Sequence, residues 1–237
     1  MSTVSKSPMY RRHRFPPDVI AYAVWLYFKF PLSLRMVEDL LAQRGIIVSH
    51  QTIKTWAEKF GRLYAKKIRN RSASNCDDKW HLDEVVIRIQ GRKHWLWRAV
   101  DQDGFVLDVL VQSRRNAEAA ERLMRKLLIQ HGTPRVIVTD KLRSYGAAKA
   151  RIMQGIEHRS HKGLNNRAEN SHLPTRRRER IMKRFKSSGQ LQRFLSIHDP
   201  IANLYHLPRH EMPSSEFREM RALANKTWNE IAEVPTL

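Results

Sequence analysis

From Lys79 onward the apolar residues of this chain change their spacing, and that change limits what it can fold into. Before Lys79 they recur every three or four positions, the period of a helix. After it LDEVVIRIQ, HWLWRAVD and FVLDVLVQS carry the period-two pattern of strands, with GRK and QDG between them as turns. Helices followed by a strand-rich half call for two different layer architectures. Residues 1–64 are expected to form a helical domain and residues 79–210 an α/β domain. Between them AKKIRNRSASNCDD, residues 65–78, is polar and aperiodic, as a linker would be. Residues 211–237 read as a helical tail with Phe217, Met220, Leu223 or Ala224, Trp228 and Ile231 on one face.

The first part resolves into three helices. Ile20, Val24 and Phe28 share a face with Ala21 and Trp25, and Pro31 ends that helix. Ser33 is placed to cap a second, with Leu34, Val37, Leu40 and Leu41 on one side. The third starts at Ser49 and carries Ile53, Trp56, Phe60 and Leu63. Two short helices, a turn and a longer helix outline a helix-turn-helix unit. His50, Gln51, Thr52, Lys54 and Thr55 lie off the apolar stripe near the start of the third helix, where DNA base edges would be met. A plain three-helix bundle fits the same pattern.

Charge favours the DNA reading. Forty-four Lys and Arg against twenty-three Asp and Glu leave +21, which self-repels in a compact state and calls for a polyanion. Nucleic acid is the first candidate and a membrane surface the weaker one. Cys76 is the single cysteine, so neither an intrachain disulfide nor a cysteine zinc site is available, and a reducing, cytoplasmic setting is expected. The basic start lacks the apolar core of a signal peptide, and VIAYAVWLYF is half a membrane span.

In the second part a helix begins at Asn116, with Ala120, Leu123, Met124, Leu127 and Leu128 on one face, and stops at Gly132 before Pro134. RVIVTD is an unbroken apolar run, the mark of a strand covered on both faces. A small helical or loop segment spans Ser144 to Met153, a short strand lies near Ile156, and basic helical patterns start near Asn165 and Gln190. The order is that of a mixed sheet, antiparallel in one half and parallel in the other.

Three acids invite chemistry, each with an ordinary alternative. Asp83 is the one carboxylate on the apolar face of the first strand, a costly place unless an arginine or a metal compensates. Its neighbour Glu84 reads as a solvated partner of Arg88. Asp140 ends the buried strand, where ligands collect in open α/β sheets, yet it also suits a turn or cap. Glu169 follows Asn166 by three positions, as in a capping box. Neighbouring first and fourth strands would gather all three at one sheet edge, a hard oxygen cluster suited to magnesium. His158 and His161 lack the partners of a metal site, and GxxxxGK and GxSxG are absent.

HLDEV, VTDKLRSYG and HRSHKGLNNRAENSH, with TRRRERIMKRFKS behind, closely resemble the insertion-sequence transposases of the IS-six group from RFPPDVI to about His206. The resemblance implies an N-terminal helix-turn-helix and a ribonuclease-H-like catalytic domain, with Asp83, Asp140 and Glu169 as catalytic metal ligands. It implies two Mg2+ ions, with Mn2+ able to substitute, and DNA partners in the element's terminal inverted repeats and a target. A homodimer acting at the bacterial nucleoid is expected, with no membrane partner. Lys141, Arg143, Arg176, Arg177, Arg178, Arg180, Lys183 and Arg184 are expected to contact phosphates. Only 28 residues separate Asp140 from Glu169, fewer than in the best-known members, which keeps Glu157 and Glu179 as rival ligands. Pro174 should kink or break the helix that follows Glu169. The other functions considered are a catalytically silent DNA-binding regulator and a nuclease acting on RNA·DNA hybrids.

Overall fold

Three helices come first in the computed structural model, which describes residues 7–72, 78–161, 163, 165–207 and 212–235. They are α1 (Pro17–Lys29), α2 (Leu34–Ala42) and α3 (His50–Ser72). Ser33 caps α2 as expected, its hydroxyl accepting from the Met36 amide at 3.2 Å. Ile20, Val24, Val37, Leu41, Ile53 and Phe60 are all fully buried. Two expected core residues are not, since Leu40 and Leu63 are 44% and 40% exposed.

On α3 the buried stripe continues instead through Tyr64, Ala65 and Ile68. This apolar continuation extends the helix across residues 65–72, more than half of the expected linker. Residues 73–77, which include Cys76, lie outside the described residues. The C-terminal helix α9 (Ser214–Ala232) is not a separate tail: Trp228 meets Tyr64 edge-on at 5.1 Å, and the Tyr10 hydroxyl donates to the Ala232 carbonyl at 2.6 Å. One compact unit therefore comprises the chain up to Ile68 together with the chain from Pro200, and the other is Arg69–Asp199.

The second unit is built on β1 (Lys79–Ile89), β2 (Arg92–Val100), β3 (Val106–Gln112), β4 (Val136–Thr139) and β5 (Glu157–Ser160), in the order β3-β2-β1-β4-β5. The first three are antiparallel, and β1–β4 and β4–β5 are parallel. Gln90 and Gly91, both at positive φ (51° and 76°), make the two-residue β1–β2 turn. Between β3 and β4 runs α4 (Ala117–His131), capped by Asn116 and stopped at Gly132, and α5 (Arg143–Ile152) joins β4 to β5. Alternate residues of β1 and β2 (Trp80, Leu82, Trp97, Ala99) form a core with Ala120, Leu123, Met124 and Leu127 of α4 and Tyr145 of α5. Asp83 and Arg98 face the other side, towards α6 (Asn166–Ser171), α7 (Leu173–Ile181) and α8 (Ser188–Leu204).

Two side chains repair backbone defects here. Pro200 lies inside α8 and cannot donate to the Ser196 carbonyl one turn back; the Arg69 guanidinium takes that oxygen at 2.7 Å. Along the outer edge of β3, the Gln192 amide accepts from Val111 N at 2.8 Å and donates to Val109 O at 3.1 Å, as a neighbouring strand would.

Candidate active site

The parallel pairing of β1 with β4, in register from Lys79↔Val136 to Leu82↔Thr139, carries both strands to the same end. Asp83 follows Leu82 and Asp140 follows Thr139, so the two carboxylates emerge side by side. Ligand oxygens of Asp83, Glu84 and Asp140 lie within 4.8 Å of one another. Burial and the nearby Asp140 push the Asp83 carboxyl up to about 6. The Leu142 amide donates to Asp140 Oδ1 at 2.9 Å and fixes that group beside it. Close-set hard oxygen donors of this kind fit a divalent cation such as magnesium or manganese.

Glu84 departs from its expected role. Its side chain is 1% exposed and does not pair with Arg88. Arg115 Nε donates to its Oε1 at 2.8 Å, Arg115 Nη2 reaches the same oxygen, and the Tyr145 hydroxyl donates to Oε2 at 2.7 Å.

Glu169 stands on α6, exposed, and its carboxylate is not part of the Asp83–Glu84–Asp140 group. What brings α6 to this edge is Asn165, fully buried, whose Nδ2 donates to the Leu82 carbonyl at 2.9 Å, one residue before Asp83. The expected capping box is therefore not formed: Asn165 occupies the cap position and its side chain serves β1. Three residues beyond Glu169, and so near it on the helix, His172 brings Nε2 to 3.1 Å from Asp83 Oδ2. Burial, with Arg98 and Arg176 nearby, holds the His172 pKa well down, so the ring is neutral and this contact is not an ion pair.

The rival acids stand elsewhere. Glu157 is opposite Val136, at the far end of β4 from Asp140, and pairs with Arg159. Glu179 pairs with Arg176, whose Nη2 reaches the Val86 carbonyl at 2.6 Å, so the helix has already passed Asp83. The break expected from Pro174 is there: α6 stops at Ser171 and Pro174 sits in the first turn of α7, where no amide donor is needed.

The basic run divides by helical face. Arg177, Arg180, Lys183 and Arg184 are exposed, and the left-handed turn at Lys183 and Arg184 (φ 52° and 71°) ends α7. Arg178 corrects the expected set of phosphate contacts: it is 2% exposed with its guanidinium 5.2 Å from the Phe194 ring centre, because it shares the inward face with Thr175. Lys141 and Arg143 are exposed just beyond Asp140. On α3, Gln51, Lys54 and Thr55 are exposed, while His50 is tied to Glu38 of α2 and Thr52 bonds the Ser49 hydroxyl.

The family model for the DDE domain of IS240-type transposases matches residues 77–207. The chain belongs to the IS6-family DDE transposases. Among relatives of this family, the transposase for insertion sequence-like element IS431mec of Staphylococcus aureus strain Mu50 is 30% identical over 168 residues, 69% of this chain and 75% of the relative. The transposase for insertion sequence element IS257 in transposon Tn4003, also of S. aureus, matches to the same extent. The HTLV-2 integrase catalytic core domain, solved in complex with magnesium in a trimeric form, aligns at 16% identity over 65% of this chain and 85% of that one, with a TM-score of 0.34. The sheet of this DDE transposase is mixed, antiparallel in one half and parallel in the other, as the order of its sequence patterns led one to expect. Spacing in the family motif pointed to Asp83 and Asp140. It carried no signal for Asn165 or Arg115, whereas His172 could have been found as the polar residue one turn after Glu169.

Proposed function

We propose that the chain is a DNA transposase that cuts at the ends of an insertion sequence and joins the freed ends to target DNA, with Asp83, Asp140 and Glu169 as its catalytic metal ligands. The observation that carries this reading is the convergence of Asp83 and Asp140 at the shared end of β1 and β4. Asn165 supports Glu169 as the third ligand, since it fastens the start of that helix to Leu82, one residue before Asp83. Divalent cations, two Mg2+ or Mn2+ in this reading, supply Lewis-acid stabilisation of the charge developing on the phosphodiester and a more acidic attacking water.

The protein's own part is placement. Asp140 Oδ1 is held by the hydrogen bond it accepts from the Leu142 amide, Asp83 is largely desolvated, and the clustered negative charge attracts a cation strongly. Arg177, Arg180, Lys183, Arg184, Lys141 and Arg143 bind DNA phosphates beside the acids, and Gln51, Lys54 and Thr55 of α3 read the terminal repeats. A homodimer that presents two element ends together, in the bacterial cytoplasm at the nucleoid, completes the proposal.

The test uses purified protein and a duplex carrying the inverted repeat that flanks the gene. Magnesium-dependent cleavage and joining are expected from the native chain, and neither from Asp140→Asn or Glu169→Gln. Near-native rates in both variants would sink the assignment, and end binding without any strand transfer would point to a regulator.

A further inference from the structure

A buried carboxylate beside the two aspartates needs a reason. Glu84 sits with its side chain 1% exposed. An uncompensated charge in such a place is costly, so its partners are there for a purpose. Both oxygens are occupied, one by the Tyr145 hydroxyl and the other by two nitrogens of Arg115. Both Glu84 oxygens are thus already engaged by neighbouring donors, although the group lies within the acidic cluster.

What the arrangement fixes is Arg115. This residue lies in the segment between β3 and α4, immediately before the Asn116 cap. Glu84 holds Nε and Nη2, and the guanidinium stacks 5.0 Å from the Trp95 ring centre. Its Nη2 is 3.8 Å from Asp140 Oδ2, and the side chain remains 38% exposed. Nη1 makes no hydrogen bond among the described residues. A planar guanidinium pinned along one side presents its other side in a fixed direction, which suits a phosphate.

We propose that Arg115 is a substrate contact of the catalytic centre, held by Glu84, Tyr145 and Trp95 so that its free side binds a DNA phosphate next to Asp140. The proposal rests on the transposase reading above and adds a residue to it. Glu84 is then a positioning residue and not a ligand.

Full-length Arg115→Gln, Arg115→Lys, Glu84→Gln and Asp140→Asn proteins are compared by three readouts. These are affinity for the terminal-repeat duplex over a salt series in EDTA, Mn2+ affinity by electron paramagnetic resonance, and strand transfer in magnesium. Arg115→Gln is expected to lower the salt slope by about one and strand transfer by about 10²-fold, with Mn2+ affinity unchanged. Arg115→Lys restores the slope, which needs only charge, but not the rate, which needs the fork. Glu84→Gln keeps its Mn2+ affinity and loses rate as Arg115→Gln does. An unchanged slope and rate in folded Arg115→Gln overturn the proposal, as does a loss of Mn2+ affinity in Glu84→Gln equal to that in Asp140→Asn. Thermal melts identify unfolded variants, and Arg115→Lys provides the reading if Arg115→Gln fails to fold. Should Asp140→Asn retain strand transfer, the underlying catalytic assignment fails whatever Arg115 does.

Discussion

Arg98 stands opposite Asp83 in the β1–β2 register, yet its guanidinium bonds Asp199, Thr175 and the Ser171 carbonyl. Arg98 and Asp199 are nearly inaccessible, at 1% and 5% side-chain exposure, so the pair is spent on structure. Asp83 is left facing a neutral histidine, and its charge is available for other work.

That pair should be costly to break singly and cheap to replace whole. Arg98→Met or Asp199→Leu is expected to lose about 3–5 kcal/mol in chemical denaturation, whereas the double variant recovers most of it. Because Arg98 also holds the last carbonyl of α6, the double variant should refold stably yet join DNA poorly. Equal stability losses in single and double variants would contradict this.

Asp83 should weaken the metal-free fold at neutral pH. Its folded pKa of about 6 exceeds the ordinary 3.8, so between those values the folded chain holds a proton that the unfolded chain has released. Stability therefore falls as pH rises through that window and stays low above it. Asp83→Asn removes the charge, and in EDTA at about pH 8 it should gain roughly 1–3 kcal/mol while losing activity. The gain should vanish below about pH 4, a comparison that thermal melts in two buffers provide.

Asn165→Ala deletes the donor to the buried Leu82 carbonyl. A stability loss of about 1–3 kcal/mol is expected from the orphaned group. Strand transfer should fall much further than the folded fraction, since α6 loses its tie to β1. Activity that merely tracks the folded fraction would remove the positioning role.

Arg69 and Pro200 should be coupled. Pro200→Ala returns an amide donor to the Ser196 carbonyl, so Arg69→Met, expected to cost about 1–2 kcal/mol alone, should cost less in that background. A double-mutant cycle with no interaction energy would refute the repair.

Local rules were enough for what is local. The Ser33 and Asn116 caps, the stop at Gly132 and the break around Pro174 follow from residue chemistry within one turn of chain. Neighbouring β1 and β4 were also legible, because an unbroken apolar run such as VIVT belongs inside a sheet. Partners distant in sequence decided the rest. Asn165 bonds a residue 83 positions away, which overrides the capping box suggested by Asn166 and Glu169. Alternation put Glu84 on the face opposite Asp83 but could not tell that Tyr145 of α5 covers that face. Arg178 looked like one more cation in a basic run until the packing of α7 showed which side turns inward.

A sheet with an open margin is a template on which further chains can stack, and proteins resist this by blunting their margins. Gln192 occupies the place of a sixth strand along β3 with a single amide. On the opposite margin β5 is four residues long and carries Glu157, His158 and Arg159. Both margins of the sheet are thus blunted against pairing with a further strand.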